Sequence, residues 1–143
     1  MKFITNFFLI FLLLSSLSKA DILKVFEFTE EEFKTLKTRK VKGETKWSLG
    51  VNDNGNFIRA EAEAVGSGLG KEVLIDLNKT PFINITWKVE KDLSGIDENS
   101  KKGHDFAARV FVVKKTGATA LSNRAVNYVF SSNNSIGKNW RSP

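Results

Sequence analysis

The feature that most restricts this chain is its punctuation. From residue 22 onward, short runs in which apolar and polar residues alternate are cut off by turn residues at regular intervals. Alternation sends successive side chains to opposite faces of an extended strand. The runs at 22–28, 45–51, 56–64, 72–77, 82–89, 105–114 and 125–131 read as strands. No helices of useful length fall between them, which excludes an alternating α/β fold. Asn52-Asp53-Asn54-Gly55 separates two of the runs. Asn-Gly is a strong hairpin signal, because both residues tolerate positive φ. In the run that follows, Ile58, Ala60, Ala62 and Ala64 share the expected core face, opposite Phe57, Arg59, Glu61 and Glu63. In 82–89 the expected core face is Ile83, Ile85, Trp87 and Val89. One helix is expected. Thr29 followed by Glu30, Glu31 and Glu32 has the form of a capping box, with Phe33 and Leu36 facing inward and Gly43 ending the segment. The expected architecture is all-β: an antiparallel β-sandwich, jelly-roll-like, with one short N-terminal helix.

The first twenty residues belong to a different class. Met1 and Lys2 precede an apolar run from Phe7 to Leu14, and Ser18 and Ala20 supply the small residues that signal peptidase accepts. The apolar run is short for a membrane span, which needs roughly 20 residues. Residues 1–20 therefore read as a cleavable signal peptide, cut between Ala20 and Asp21, with no integral membrane segment left after cleavage. The expected location is the periplasm or the exterior of a bacterial cell. Removal of 20 of the 143 residues leaves 123, one domain's worth of chain, so 21–143 is expected to be a single β-sandwich domain. It ends on Asn139-Trp140-Arg141-Ser142-Pro143 rather than a polar tail, so the domain is expected to be incomplete at its C-terminus.

Composition removes several chemistries. With no cysteine, disulfides and thiolate catalysis are excluded. A single histidine, His104, and scattered acids argue against zinc. Asp92, Asp97 and Glu98 lie in a long polar loop, 90–104, but match no calcium-loop spacing, so they read as a solvated acidic loop. Gly66-Ser67-Gly68-Leu69-Gly70 reads as a turn, since no Gly-Lys-Ser/Thr and no helix follow to cradle a phosphate. No cofactor is expected. The formal charge is +6, and +4 once Lys2 and Lys19 leave with the leader. The cations form no stripe interleaved with aromatics, so nucleic acid is not an expected partner.

The candidate binding residues are Asp105, Arg109, Asn127 and Trp140. On a regular strand Asp105 and Arg109 share one face with Ala107, Phe111 and Val113. A cation on so apolar a face needs a partner. A bulge at Asp105, or Asn127 on the next strand, would supply one. Two readings stand side by side. In one, Asp105, Arg109 and Asn127 line a cleft in which Arg109 grips a carboxylate or sulfate through two parallel hydrogen bonds. In the other, Arg109 is a satisfied core ion. Trp47, Trp87 and Trp140 can stack on sugar rings where exposed; Trp87 is expected in the core, and Trp140, in a terminal loop, is the better stacking residue. His104 beside Asp105 has the form of a general base, but no serine sits in a nucleophile context, and no catalytic residue is assigned.

The chain resembles the bacterial family catalogued as domain of unknown function 3047. The resemblance is carried by Pro81, by Ile85-Thr86-Trp87-Lys88-Val89, and by Lys102-Gly103-His104-Asp105-Phe106-Ala107-Ala108-Arg109-Val110-Phe111-Val112-Val113. Ala125-Val126-Asn127-Tyr128-Val129-Phe130-Ser131, Gly137, Trp140 and Pro143 complete it. It implies an exported β-sandwich protein whose chain continues past the Trp-and-Pro segment. It also implies an acidic residue where His104 stands, which weakens His104 and Asp105 as a catalytic pair. The expected function is a non-catalytic binding module for a glycan or another polymer of the cell envelope. A structural envelope protein is the alternative, and a polysaccharide hydrolase using Asp105 and a second acid comes third. Nothing in the sequence sets an oligomeric state.

Overall fold

A computed structural model describes residues 22–119 and 122–143, so the expected signal peptide lies outside the described residues. They hold a single helix and six strands. The helix is α1 (Glu30–Thr35); the strands are β1 (Lys37–Lys42), β2 (Lys46–Asn52), β3 (Gly55–Glu61), β4 (Gly66–Gly70), β5 (Ala108–Lys114) and β6 (Arg124–Phe130). The strands pair into three two-stranded antiparallel sheets: β1 with β4, β2 with β3, and β5 with β6. Among the described residues the regular structure is thus mostly strand, in small antiparallel sheets, with little helix. The chain divides into two compact units, Met1–Ile83 and Asn84–Pro143. Among the described residues no helix is long and apolar enough to cross a membrane.

In the first unit the helix forms as its cap dictates. Thr29 accepts from Glu32 N–H at 3.2 Å. The Glu32 carboxylate reaches back to accept from Phe28 N–H at 2.7 Å and Glu27 N–H at 2.8 Å. These bonds satisfy donors that a helix start would leave orphaned. Lys71 Nζ closes on the same carboxylate and lies 5.1 Å from the Phe26 ring centroid. Burial pushes the Glu32 carboxyl up, but the Lys71 ammonium and the two backbone donors outweigh it and hold the group below its ordinary range.

The β2–β3 hairpin pairs from Lys46↔Glu61 to Asn52↔Gly55, as the turn signal predicts. Of the turn residues only Gly55 takes positive φ, at 105°; Asn52 Oδ1 instead accepts from Asn54 N–H at 2.8 Å. On β3 Ile58 is half-buried as expected, but Ala60, and Ala62 just past the strand, are exposed, and the equally half-buried Phe57 of the other face lies across Gly50, its partner on β2. A Cβ on Gly50 would stand 2.4 Å from the Phe57 ring, so the glycine makes room for the aromatic.

The segment expected as a turn, Gly66–Gly70, is strand β4. It pairs with β1, whose Lys37–Lys42 stretch carries no strand signal beyond Val41. A reciprocal stitch joins this ladder to the start of β2. Thr45 N–H donates to Ser67 Oγ at 3.0 Å, and Ser67 N–H donates to Thr45 Oγ1 at 2.9 Å. Trp47 Nε1 also donates to Ser67 Oγ, at 3.2 Å. Trp47 is therefore half-buried with its indole N–H committed. Ser67→Ala strands two donors beside the buried Thr45. It is expected to cost about 1–3 kcal/mol, read as a lower thermal midpoint together with a shift in tryptophan emission.

Residues 22–28, 72–77 and 82–89 are not strands. Phe28 breaks the first with φ 54°. In the second, Leu74 is 100% exposed, and Asp76 closes a turn by accepting from Lys79 N–H and Thr80 N–H, both at 3.0 Å. In the third, Trp87 is 37% exposed rather than core, packed edge-on to Phe130 at 6.3 Å. Alternation prepares a segment to be a strand, but a strand exists only where a neighbour takes its backbone hydrogen bonds. Among the described residues none pairs with these three.

Candidate functional site

The second unit is organised by the β5–β6 ladder. Its register sets Arg109 opposite Val129, Phe111 opposite Asn127 and Val113 opposite Ala125. Directly opposed residues share a face, so Arg109, Phe111 and Asn127 lie together, with Arg109 and Asn127 as diagonal neighbours. The other face carries Val110, Val112, Val126, Tyr128 and Phe130.

Asp105 does not extend that face. The strand begins only at Ala108, and Asp105 sits in the preceding loop. There Asp105 N–H donates to Gly103 O at 2.7 Å, and its Oδ1 accepts from Phe106 N–H at 2.9 Å. Arg109 takes neither expected partner. Its Nη2 donates to the His104 carbonyl at 3.3 Å, and its guanidinium stands 4.8 Å from the Phe106 ring centroid and 5.3 Å from that of Phe111. Burial lowers the Arg109 group from its ordinary value, and the Asp105 charge offsets part of that. Asn127 Oδ1 is closed off from water and, among the described residues, has no hydrogen-bond partner. A buried acceptor in that state carries a desolvation cost of about 1–3 kcal/mol.

Trp140 reaches this group from the terminal loop. Its ring lies 6.2 Å from that of Phe106, and Lys138 Nζ stands 5.9 Å from its centroid. Phe106, 8% exposed, is the centre on which Arg109, Trp140 and His104 converge, His104 meeting it edge-on at 5.1 Å. His104 is occupied on both nitrogens. Nδ1 lies 3.3 Å from Glu98 O, and a carbonyl only accepts, so Nδ1 is the donor there. Nε2 lies 3.3 Å from the Ser142 hydroxyl. These contacts make His104 a brace rather than a base for Asp105.

A second centre, which sequence reasoning assigned to solvent, is built on Glu98. Glu98 is 1% exposed. Its carboxylate accepts from the Ser131 hydroxyl, from Ser132 N–H at 2.9 Å and from Asn134 Nδ2 at 2.8 Å. Burial pushes its carboxyl up, but these donors and a backbone donor at Asn133 hold it below its ordinary range. Asn133 Nδ2 adds a bond to Ile96 O at 2.8 Å, and the Ser132 hydroxyl donates to Asp92. Asn134 Oδ1 in turn accepts from Lys138 Nζ at 2.6 Å. The 90–104 loop is thus pinned to the 131–134 segment. Gly103 allows the close return: a Cβ there would meet Asp97 O at 2.4 Å. The signal was available in Ser131-Ser132-Asn133-Asn134, four small hydrogen-bonding residues directly after a strand, which need an acceptor. Asp92, Asp97 and Glu98 do not converge. Among the described residues no three acidic, histidine or cysteine side chains gather as metal ligands.

Neither a curated protein nor a solved structure matches the chain. A family profile described as "Protein of unknown function (DUF3047)" matches residues 31–143, which includes both units' strands and every residue of the site. The chain belongs to the family of proteins of unknown function DUF3047.

Proposed function

We propose that this chain is an exported, non-catalytic binding module that recognises a glycan or another polymer of the bacterial envelope. The observation that carries this reading is the face formed by Arg109, Phe111, Asn127 and, through Phe106, Trp140. Among the described residues it combines a guanidinium with uncommitted donors, aromatic surface and, closed off from water beside them, an acceptor without a partner. Hydroxyl-rich polymers are bound by such mixtures of polar groups and ring faces. Export rests on the leader at 1–20, and the mature product is expected to begin at Asp21 when its N-terminus is sequenced. The finer architecture, a sandwich of jelly-roll type, belongs to the same reading, since an antiparallel sheet with apolar residues on its faces packs against a second layer.

The test is a polysaccharide array probed with the full chain. Binding above background is expected, weakened about tenfold in Asn127→Ala and Trp140→Ala. No binding to any envelope polysaccharide sinks the proposal. A structural role in the envelope is the second reading, favoured by the exposure of Phe111, Val112, Val113 and Val126 on the β5–β6 ladder. A stoichiometric protein partner in a pull-down, with an empty array, would establish it instead.

A further inference from the structure

Resting on the glycan reading, we infer that the ligand is an acidic polysaccharide held at two cationic points, Arg109 and Lys138, with Trp140 and Phe106 between them. An arginine carries five N–H donors. Among the described residues Arg109 uses one, on the His104 carbonyl. Its remaining donors suit a carboxylate or sulfate, which binds guanidinium through parallel hydrogen bonds. Asn127 Oδ1, the diagonal neighbour, lacks a donor, and an acid group cannot provide one. A sugar hydroxyl can. Phe111 stands opposite Asn127 and is 56% exposed, so the acceptor lies next to open aromatic surface, and engaging it requires a local side-chain rearrangement. One site therefore asks for an acid and a hydroxyl on the same small unit, which is the chemistry of a uronic acid or a sulfated sugar.

The second point explains Lys138. Its ammonium is set against the Trp140 ring and tied to Asn134, whose side chain is in turn fixed by Glu98. A lysine serving only solubility needs no such support. Contacts run from Lys138 to Trp140, from Trp140 to Phe106 and from Phe106 to Arg109, so the two cations are joined through two packed rings. A polymer with repeating acid groups can engage both cations, and a monomer can engage one. A nucleic acid is the less favoured polyanion, because its phosphates satisfy the cations without any call on the sequestered acceptor of Asn127.

Titration calorimetry on the full chain tests this with polygalacturonate, its carboxyl-reduced form, a sulfated galactan and galacturonate monomer. The acidic polymers are expected to bind, with the carboxylated and sulfated arms identifying the acid group, and the reduced polymer at least tenfold more weakly. Arg109→Met is expected to lose about tenfold or more on both polymer and monomer. Lys138→Met is expected to weaken the polymer severalfold and leave the monomer unchanged, a split that a purely structural lysine does not produce. Should Arg109→Met fail to fold, Arg109→Lys keeps the charge, loses the fork and is expected to bind about tenfold more weakly. Equal binding of native and reduced polymer overturns this inference and leaves the glycan reading standing. Equal binding of single-stranded DNA also overturns it. Binding to no polymer removes both.

Discussion

Glu98→Ala is expected to lower the unfolding free energy by about 3 kcal/mol or more, read as a fall in the urea midpoint at neutral pH. The side chain is almost wholly buried, and its removal strands the Ser131 hydroxyl and Ser132 N–H and leaves the Asn134 amide nitrogen only its bond to Ser131 Oγ. Each orphaned donor costs about 1–3 kcal/mol. The effect has a pH signature. The folded carboxyl titrates below its ordinary value near 4.5, so its contribution is complete above that value and is lost as pH falls through the lower folded value. The midpoint difference between wild type and Glu98→Ala is therefore expected to be constant near neutrality and to shrink on acidification below about pH 4.5. A difference that stays constant into strong acid would show that the carboxylate charge is not what holds the 131–134 segment.

Phe106→Ala is expected to be comparably damaging, at about 3–5 kcal/mol. Phe106 is the buried apolar side chain of the described core, and it touches Arg109, His104 and Trp140 at once. Its loss removes area burial and frees the guanidinium that leans on its ring. Two readouts separate these effects: the denaturation midpoint reports packing, and tryptophan emission reports release of Trp140. A small midpoint change with a large emission change would mean that Phe106 orders the site without supporting the unit.

Much of the local structure could be read from the residues. Thr29 and Glu32 specify the helix start, and the β2–β3 hairpin follows from its Asn-Gly turn and alternating flanks. Parity along 105–114 set Arg109 and Phe111 on one face but also put Asp105 there, which the strand's start at Ala108 rules out; it is the β5–β6 register that brings Asn127 to that face. The β1–β4 ladder was illegible because glycine and lysine both disfavour strands and only their mutual pairing makes them one. The opposite error, strands at 72–77 and 82–89, has the same cause: alternation is local, whereas pairing is not. The site shows this too. Arg109 found a backbone carbonyl, and carbonyls leave no mark in a sequence. Glu98 looked solvated because its partners come from a segment more than thirty residues away.

The β5–β6 ribbon has a further consequence, for handling the protein rather than for recognition. Among the described residues each of its strands has a neighbour on one side only. Val110, Phe111, Val112 and Val113 form the kind of uncharged, β-prone segment that recruits copies of itself edge to edge. Arg109 on one side and Lys114 with Lys115 on the other bracket it as gatekeepers against aggregation. The same guanidinium thus opposes edge-to-edge pairing of the ribbon, so substitutions that remove its charge are expected to raise light scattering in concentrated solution, and Arg109→Lys, which keeps the charge, is expected not to.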